Sequence, residues 1–367
     1  MRKKVAIVGA GTSGLIAARD LASIGIQASV YDQKTRLGYP AKASGIISIN
    51  GLKSLGIDYE RAVTNTLYGA NIHAGKVVMH IVSKKPQAHV LEREKLNLVC
   101  YDEALKAGAQ VHLGTKMDDD RIAELHKESI IVGADGALSA VAKHFSMGSI
   151  RRYTLTYKAE FNVDVGDAKT VELFFDNRVA PKFFAWLCPN AKDILEVGIG
   201  IDAKHGNSKT AFEKFLLMEG VRERVEKGKL LEGYASLIPM QTVRKVVDPE
   251  NEVLLVGDAA GQVKPTTGGG IVFGGNAARL AAKVIAGHIR RGTGLETYGE
   301  LFKKSFGTDI KLHGVINKIY SHLDPKKMEF MLNVLKTLGF ENFFSSYGDM
   351  DRPSLMLKRF FLRGLSE

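Results

Sequence analysis

Lys4-Val-Ala-Ile-Val-Gly9-Ala-Gly11-Thr-Ser13-Gly14 is the stretch on which the reading of this chain turns. Lys4 to Val8 is a β-branched apolar run that reads as a buried strand, and Leu15 to Ile24 carries apolar residues at helical spacing. The glycines therefore lie in a turn that ends a strand and opens a helix. Gly9 permits the tight turn, Gly11 lets the backbone approach a pyrophosphate, and Gly14 allows close packing of helix on strand, with Ser13 among them at the helix start. The positive end of the helix then faces the phosphates. A second strand, Gln27 to Tyr31, ends on Asp32, at the spacing of a carboxylate that accepts hydrogen bonds from an adenosine ribose. A glycine-rich turn without a ligand is the plain alternative; strand, turn, helix, strand and acid in this order favour a dinucleotide site.

Two further segments repeat the arrangement. The apolar run Val253 to Val256 is followed by Gly257-Asp258-Ala-Ala-Gly261, then Pro265 and Thr267-Gly268-Gly269-Gly270-Ile271, where an Ala-rich helical pattern begins and continues to His288. Ile130 to Gly133 is another apolar strand, ending in Asp135-Gly136. An NAD dehydrogenase needs the first motif alone, and the two downstream segments distinguish a flavoprotein. On these three motifs, in this order over about residues 1 to 300, the chain resembles the FAD-dependent oxidoreductases of the p-hydroxybenzoate hydroxylase fold. Within them it is similar to the geranylgeranyl reductases, which saturate isoprenoid double bonds in archaeal lipids and plant pigments.

The resemblance implies a fold class and a set of contacts. The fold is α/β, with a discontinuous Rossmann-like FAD-binding domain, a β-rich substrate domain and a helical C-terminal region. Asp258 is then the acid that holds the ribityl chain. Gly268, Gly269 and Gly270, with Ile271 opening the next helix, bring backbone N–H groups to the pyrimidine edge of the flavin, where they stabilise negative charge on its reduced form. Arg93, in Leu91-Glu-Arg-Glu-Lys-Leu96, matches the arginine that packs near the cofactor, and Asp135 is the acid of the family's Asp-Gly motif. That motif often ends in Arg, and Ala142 stands here instead.

The narrower resemblance rests on Pro181-Lys-Phe-Phe184-Ala-Trp186-Leu-Cys188-Pro189, which is similar to the Pro-x-x-Tyr-x-Trp-x-Phe-Pro signature of the reductases, and on Val263-Lys-Pro265-Thr-Thr-Gly-Gly-Gly270-Ile271. Phe184 replaces the tyrosine and Cys188 the second aromatic. Both stretches imply a long apolar substrate beside the flavin, with Phe184 and Trp186 as wall residues. A buried strand is the plain reading of the same residues, and both can hold. Where these reductases often carry Cys-Gly after the second strand, this chain has Ser44-Gly45, so thiolate chemistry is replaced by a hydroxyl that donates a hydrogen bond or caps the next element. Lys42 in that segment reads as a partner for flavin or phosphate, or as a solvated side chain.

At 367 residues, with 45% hydrophobic and 25% charged content, the chain has the composition of an ordinary globular protein. Cys100 and Cys188, far apart in helical and strand contexts, read as thiols of a reducing, cytoplasmic compartment. Met1 is followed almost at once by the first strand, which leaves no room for a signal peptide, and no apolar run approaches the ~20 residues needed to cross a bilayer. None of the ten histidines has metal-ligand spacing, and Gly-x-Ser-x-Gly and P-loop motifs are absent from the sequence. The formal charge of +11 asks for an anionic partner, but no nucleic-acid motif accompanies it. Near the end, Leu357, Phe361 and Leu365 fall on one helical stripe flanked by Lys358, Arg359 and Arg363. This is the pattern of a peripheral membrane helix, or of a terminal helix docked by its apolar face.

The expected organisation assigns 1–65, 93–150 and 247–296 to the FAD-binding domain, 66–92 and 151–246 to the substrate domain, and 297–367 to the helical region. A hairpin turning at Gly75, strands at 154–163, 169–175, 183–187 and 194–201, a helix at 209–226, a returning segment from Ser236 to Val246 and helix breaks at Gly307, Asp324-Pro325, Gly339 and Arg352-Pro353 fill that plan. The functional expectation is an FAD-dependent reductase of geranylgeranyl C=C bonds in membrane-lipid biosynthesis. Its partners are a prenylated lipid and an electron donor, either ferredoxin, NAD(P)H or a deazaflavin. The alternatives are an aromatic monooxygenase, which turns the same fold to oxygen activation, and a non-catalytic flavin-binding protein. Besides the flavin, no catalytic residue is fixed except Ser44 as a candidate.

Overall fold

The computed structural model describes residues 4–39 and 44–363, without the side chains of 361–363, so Lys42 and Leu365 lie outside the described residues. A six-stranded sheet carries the glycine turns. Its order is Val247–Asp248, Val253–Leu255, Ser129–Gly133, Lys4–Val8, Ala28–Tyr31, Gln110–His112, and all neighbours are parallel except the first pair. Successive side chains of Lys4–Val8 point to opposite faces. Val5 and Ile7 join a core under the helices Thr12–Ala22, Arg93–Lys106 and Ile271–Arg291, while Ala6 and Val8 join a second core with Ile122, Val141 and Met147. The register pairs Val8 with both Tyr31 and Gly133, and Gly133 with Leu255. Four strand ends therefore finish level, and the residues that follow them, Gly9, Asp32, Asp135 and Asp258 among them, emerge along one edge of the sheet.

The second, seven-stranded sheet runs Lys229–Pro239, Tyr153–Asn162, Ile194–Asp202, Ala185–Ala191, Thr170–Phe174, Gly69–Ala74, Val77–Val82, antiparallel except where Thr170–Phe174 meets Gly69–Ala74. One face, with Ala159, Leu195, Val197 and Ile199, packs on Phe212, Phe215, Val221 and Val225. The other presents Lys158, Trp186, Cys188, Glu196, Gly198 and Gly200, the alternate positions of the same strands. A small sheet of Ile46–Ser48, Ala88–Leu91 and Val63–Leu67 lies across the division drawn at residue 65.

The expected hairpin turns at Gly75, with φ of +57°. Three expectations are corrected. The helix of 209–226 is two helices, Ser208–Leu216 and Arg222–Val225, broken where Gly220 takes φ of +79°. The returning segment starts as a strand at Lys229, seven residues before Ser236, because its backbone pairs along almost all of Tyr153–Asn162 although Leu230 and Leu231 remain exposed. Gly307 does not end a helix. Thr297–Tyr320 runs through it, and the buried face formed by Tyr298, Phe302, Phe306, His313 and Asn317 outweighs the ~1 kcal/mol that glycine costs relative to alanine. Pro325–Thr337, Phe340–Tyr347 and Pro353–Arg363 complete the chain, the first of them capped by Asp324, which accepts from Lys327 N at 3.0 Å.

A buried chain of hydrogen bonds ties the C-terminal helices to the site edge. Gly257 N donates to Gln262 Oε1, Gln262 Nε2 to Tyr298 Oη, and Tyr298 Oη to Leu255 O, each at 2.8 Å. Tyr298 is completely buried. Tyr298→Phe leaves the Gln262 amide and the Leu255 carbonyl without this partner, and the expected loss of stability is about 1–3 kcal/mol in reversible urea unfolding. An unchanged unfolding midpoint refutes the role given to this hydroxyl.

Candidate cofactor and substrate site

The edge is assembled by contacts that tolerate no extra atoms. Gly9 takes φ of +108°, and a Cβ on it would lie 2.3 Å from Ala134 O; a Cβ on Gly14 would lie 2.0 Å from Gly9 O. Around Gly11, by contrast, no atom comes within 4 Å of a Cβ position, so this turn has open space on its outer side. Asp32 Oδ2 accepts from Ala10 N at 2.7 Å and Oδ1 from Lys34 N at 2.8 Å, which pins the turn to the second strand. Ser13 faces the other motif, because a Cβ on Gly257 or on Gly274 would sit 2.7 Å from its Oγ. Thr12 Oγ1 donates to Asn97 Oδ1 at 2.8 Å, locking the first helix to the helix that starts at Arg93.

Asp258 lies against the start of the helix Ile271–Arg291, where a Cβ on the capping Gly270 would be 2.8 Å from Asp258 Oδ1. Burial pushes the Asp258 carboxyl from 3.8 up to about 6, and the charge of Arg93 works against that rise. Burial likewise brings the Arg93 guanidinium down to about 10, opposed by Cys100 and Asp258. Both residues keep some accessible surface although protein encloses them, the condition of groups that line a cleft. Asp135 has a different duty. Its Oδ1 accepts from Ser139 Oγ at 2.6 Å, and its Oδ2 accepts from Ala140 N at 2.7 Å and Val141 N at 3.2 Å, so its carboxylate caps the helix Ala140–His144.

Phe184 and Trp186 belong to a buried aromatic cluster on the second face of the larger sheet. Phe183 and Phe184 stack at 4.5 Å, with Trp186 6.0 Å from Phe184. Glycines make room for them, since a Cβ on Gly198 would lie 2.1 Å from the Trp186 ring and one on Gly200 2.2 Å from the Phe183 ring. The cluster reaches the glycine loop, because Phe183 Cζ is 3.6 Å from a Cβ position at Gly268. Phe184 and Trp186 are 6% and 7% exposed, Trp186 within the strand Ala185–Ala191 and Phe184 just before it, as the plain reading of a buried strand expects.

Several residues of this region escaped the sequence reading. Trp186 Nε1 donates to Glu196 Oε1 at 2.8 Å, and Glu196 Oε2 accepts from Lys158 Nζ at 2.7 Å. Burial raises the Glu196 carboxyl, but Lys158, Trp186 and Ser44 together hold it below its ordinary value. Ser44 adjoins this acid, yet its Oγ is buried without a hydrogen bond of ordinary geometry among the described residues. A lone carboxylate inside Ile194-Leu-Glu-Val-Gly-Ile-Gly-Ile201 was the available signal, for an acid in an apolar strand needs a buried partner.

These features fit a flavin dinucleotide. Arg93 Nε and Nη1 are buried without a hydrogen-bond partner among the described residues, which is costly unless an acceptor reaches them. Helices Thr12–Ala22 and Ile271–Arg291 both begin at glycines and have no side-chain cap, so their first N–H groups point to the edge as anion donors. Gly9, Gly11, Ser13, Gly14 and Asp32 would hold the adenosine and pyrophosphate half, and Arg93, Asp258, Gly269, Gly270 and Ile271 the flavin half; the Gly268 N–H, expected at the flavin edge, donates instead to Lys264 O and shapes the loop. Asp135 would act through the loop it caps.

A mostly parallel sheet with helices on both faces and such an edge is the fold of a class of flavin-dependent oxidoreductases. The chain belongs to the FAD binding domain family, whose model matches residues 2–303, and its cofactor is FAD. It is 28% identical over 370 residues to a digeranylgeranylglycerophospholipid reductase of Methanosphaera stadtmanae, covering 93% of this chain and 90% of that protein. An uncharacterised protein of Methanocaldococcus jannaschii is 27% identical over 372 residues, covering 96% and 94%. Among solved structures, a geranylgeranyl bacteriochlorophyll reductase-like protein of Thermoplasma acidophilum superposes with a TM-score of 0.81 over 97% of this chain and 95% of its own, and at 21% identity that likeness is one of fold.

Asp258→Ala is expected to weaken FAD binding roughly tenfold to a hundredfold, about 1–3 kcal/mol, measured by flavin fluorescence on titration into protein stripped of cofactor. Asp135→Ala should cost less affinity and more thermal stability, since it uncaps a helix. Equal FAD affinity in the Asp258→Ala and unchanged proteins rules out the contact.

Proposed function

We propose that this protein is an FAD-dependent reductase of isoprenoid C=C bonds, acting on the geranylgeranyl chains of a membrane lipid. The observation that carries the proposal is the aromatic wall of Phe183, Phe184 and Trp186 abutting the Gly268 loop. Bound FAD, once reduced by the electron donor, would supply hydride for addition across an alkene, and a proton from water or a side chain would complete it. Everything else falls to the chain. Phe184 and Trp186 give an apolar lipid broad contact area with little loss of side-chain freedom. The Glu196–Lys158 pair fixes the indole through Nε1, and Gly198 leaves room for the ring against the neighbouring strand. Reductase names among relatives that align over nine-tenths of their length support the same reading.

The electron donor is ferredoxin, NAD(P)H or a deazaflavin, and a membrane surface supplies the lipid. No described helix is long and apolar enough to cross a membrane. Contact with one is better supported by two surfaces than by the terminal stripe alone. Leu357, Lys358 and Arg359 are exposed on the last helix, although Phe360 stacks on Phe340 at 5.6 Å, so that helix is also docked. The side chains of Phe361 and Arg363, and all of Leu365, fall outside the described residues. On the helix Pro325–Thr337 and its cap, Phe330, Val334 and Leu338 recur four residues apart at 71%, 38% and 67% exposure, beside exposed Lys326 and Lys327. Co-sedimentation with vesicles rich in anionic lipid, abolished by Phe330→Ser with Leu338→Ser, is the expected outcome. Equal binding to neutral and anionic vesicles, or none to either, counts against the surface.

Anaerobic reoxidation of the photoreduced protein by digeranylgeranylglycerophospholipid tests the activity. Trp186→Ala should reduce lipid-dependent reoxidation at least tenfold, while FAD content and reoxidation by a small artificial acceptor stay near those of the unchanged protein. If lipid fails as an acceptor and soluble aromatics reoxidise the protein only with oxygen present, a monooxygenase replaces the reductase.

A further inference from the structure

Three side chains from beyond residue 303, where the family model ends, grip the loop that carries the glycines. Lys264 Nζ donates to Asp351 Oδ1 at 2.6 Å, and both side chains are 7% exposed. Tyr320 Oη donates to Thr266 O at 2.7 Å, and His313 Nδ1 lies 2.8 Å from Thr266 Oγ1. Burial, with Lys264 adding to it, brings the His313 imidazole down to about 4, so that it is neutral at pH 7. Asp351 Oδ2 also accepts from Ser48 Oγ, at the cap of the helix Ile49–Leu55.

Lys264 closes the loop with its backbone and backs it with its charge. Its N donates to Gly269 O at 3.1 Å, and its carbonyl accepts from Gly268 N at 2.7 Å. A Cβ on Gly269 would stand 2.7 Å from Lys264 Cε and 3.3 Å from Nζ, so the ammonium stem lies directly against that glycine. A cation in this place favours the negative charge that a flavin gains on reduction, and a neighbouring carboxylate offsets it.

We propose that Lys264 and Asp351 form a charged clasp through which the C-terminal helical region positions the Gly268–Gly270 backbone and sets how readily the bound flavin is reduced. The proposal rests on the reading that this loop faces the flavin. Asp351 is a positioning residue that acts through Lys264. Burying an ion pair is expensive, and losing one partner leaves the other charge uncompensated, so each member restrains the other.

Equilibrium titration of the FAD-loaded protein against a reference dye at pH 7 tests it. Asp351→Asn is expected to raise the midpoint potential, favouring reduced flavin about tenfold, which is ~30 mV for a two-electron couple. Lys264→Met should shift it by a comparable amount in the opposite direction, and the double variant should return close to the parent. A loop that is merely loosened does not produce shifts of opposite sign. Because one unpaired buried charge threatens folding, the double variant carries a second arm: it should release FAD several times faster than the parent. Single variants that shift the potential in the same direction, FAD-loaded variants that all keep the parental potential, or a double variant with the parental release rate overturn the clasp. A parent protein that takes up no FAD overturns instead the cofactor reading beneath it.

Discussion

Everything at this site depends on how closely two glycine turns approach one another. Gly257 and Gly274 come so near Ser13 that a single added carbon on either would fall 2.7 Å from its hydroxyl. That approach brings the start of the first helix beside the start of Ile271–Arg291, two rows of N–H groups without a side-chain cap among the described residues, drawn from segments far apart in the sequence. Neither helix could be shifted outward to relieve a side chain there, because each is packed in a core of fully buried residues such as Leu15, Ile16, Ala277 and Ala278. The convergence of positive helix ends is therefore a packing result before it is an electrostatic one.

The two sheets divide the remaining work. The parallel sheet supplies strand ends in register, so Asp32, Asp135 and Asp258 emerge at one level. The larger sheet supplies a face whose glycines, Gly198 and Gly200, are occupied by aromatic rings from the neighbouring strand. Behind those rings sits a buried Lys158–Glu196 pair, which adds little net stability but fixes one orientation of Trp186. Apolar contact and buried charge coexist because the indole covers the acid.

The sequence was most legible where one residue type has one physical use. Gly9, Asp32 and Gly75 could be read directly because a tight turn, a strand-end carboxylate and a hairpin each demand that chemistry. Breaks were misread where tertiary burial decides. Gly307 stays helical because Phe302 and Phe306 anchor its neighbours, and Gly220 breaks a helix that periodicity alone extends. Glu196 left a trace, a lone acid in an apolar strand, but Lys158 and Asp351 were invisible for a different reason: they pair across 38 and 87 positions, and no local pattern announces a partner that far away. Asp135 shows the converse, a residue recognisable by motif whose carboxylate turns out to be committed to its own loop.

Trp186 is the chain's one tryptophan, and it is buried between a carboxylate and the phenylalanines Phe184 and Phe183, the second of which touches the glycine loop. Emission excited at the red edge of the protein band thus comes from one indole, seated within energy-transfer range of any yellow chromophore at the loop. The molecule carries its own optical gauge: quenching follows cofactor occupancy.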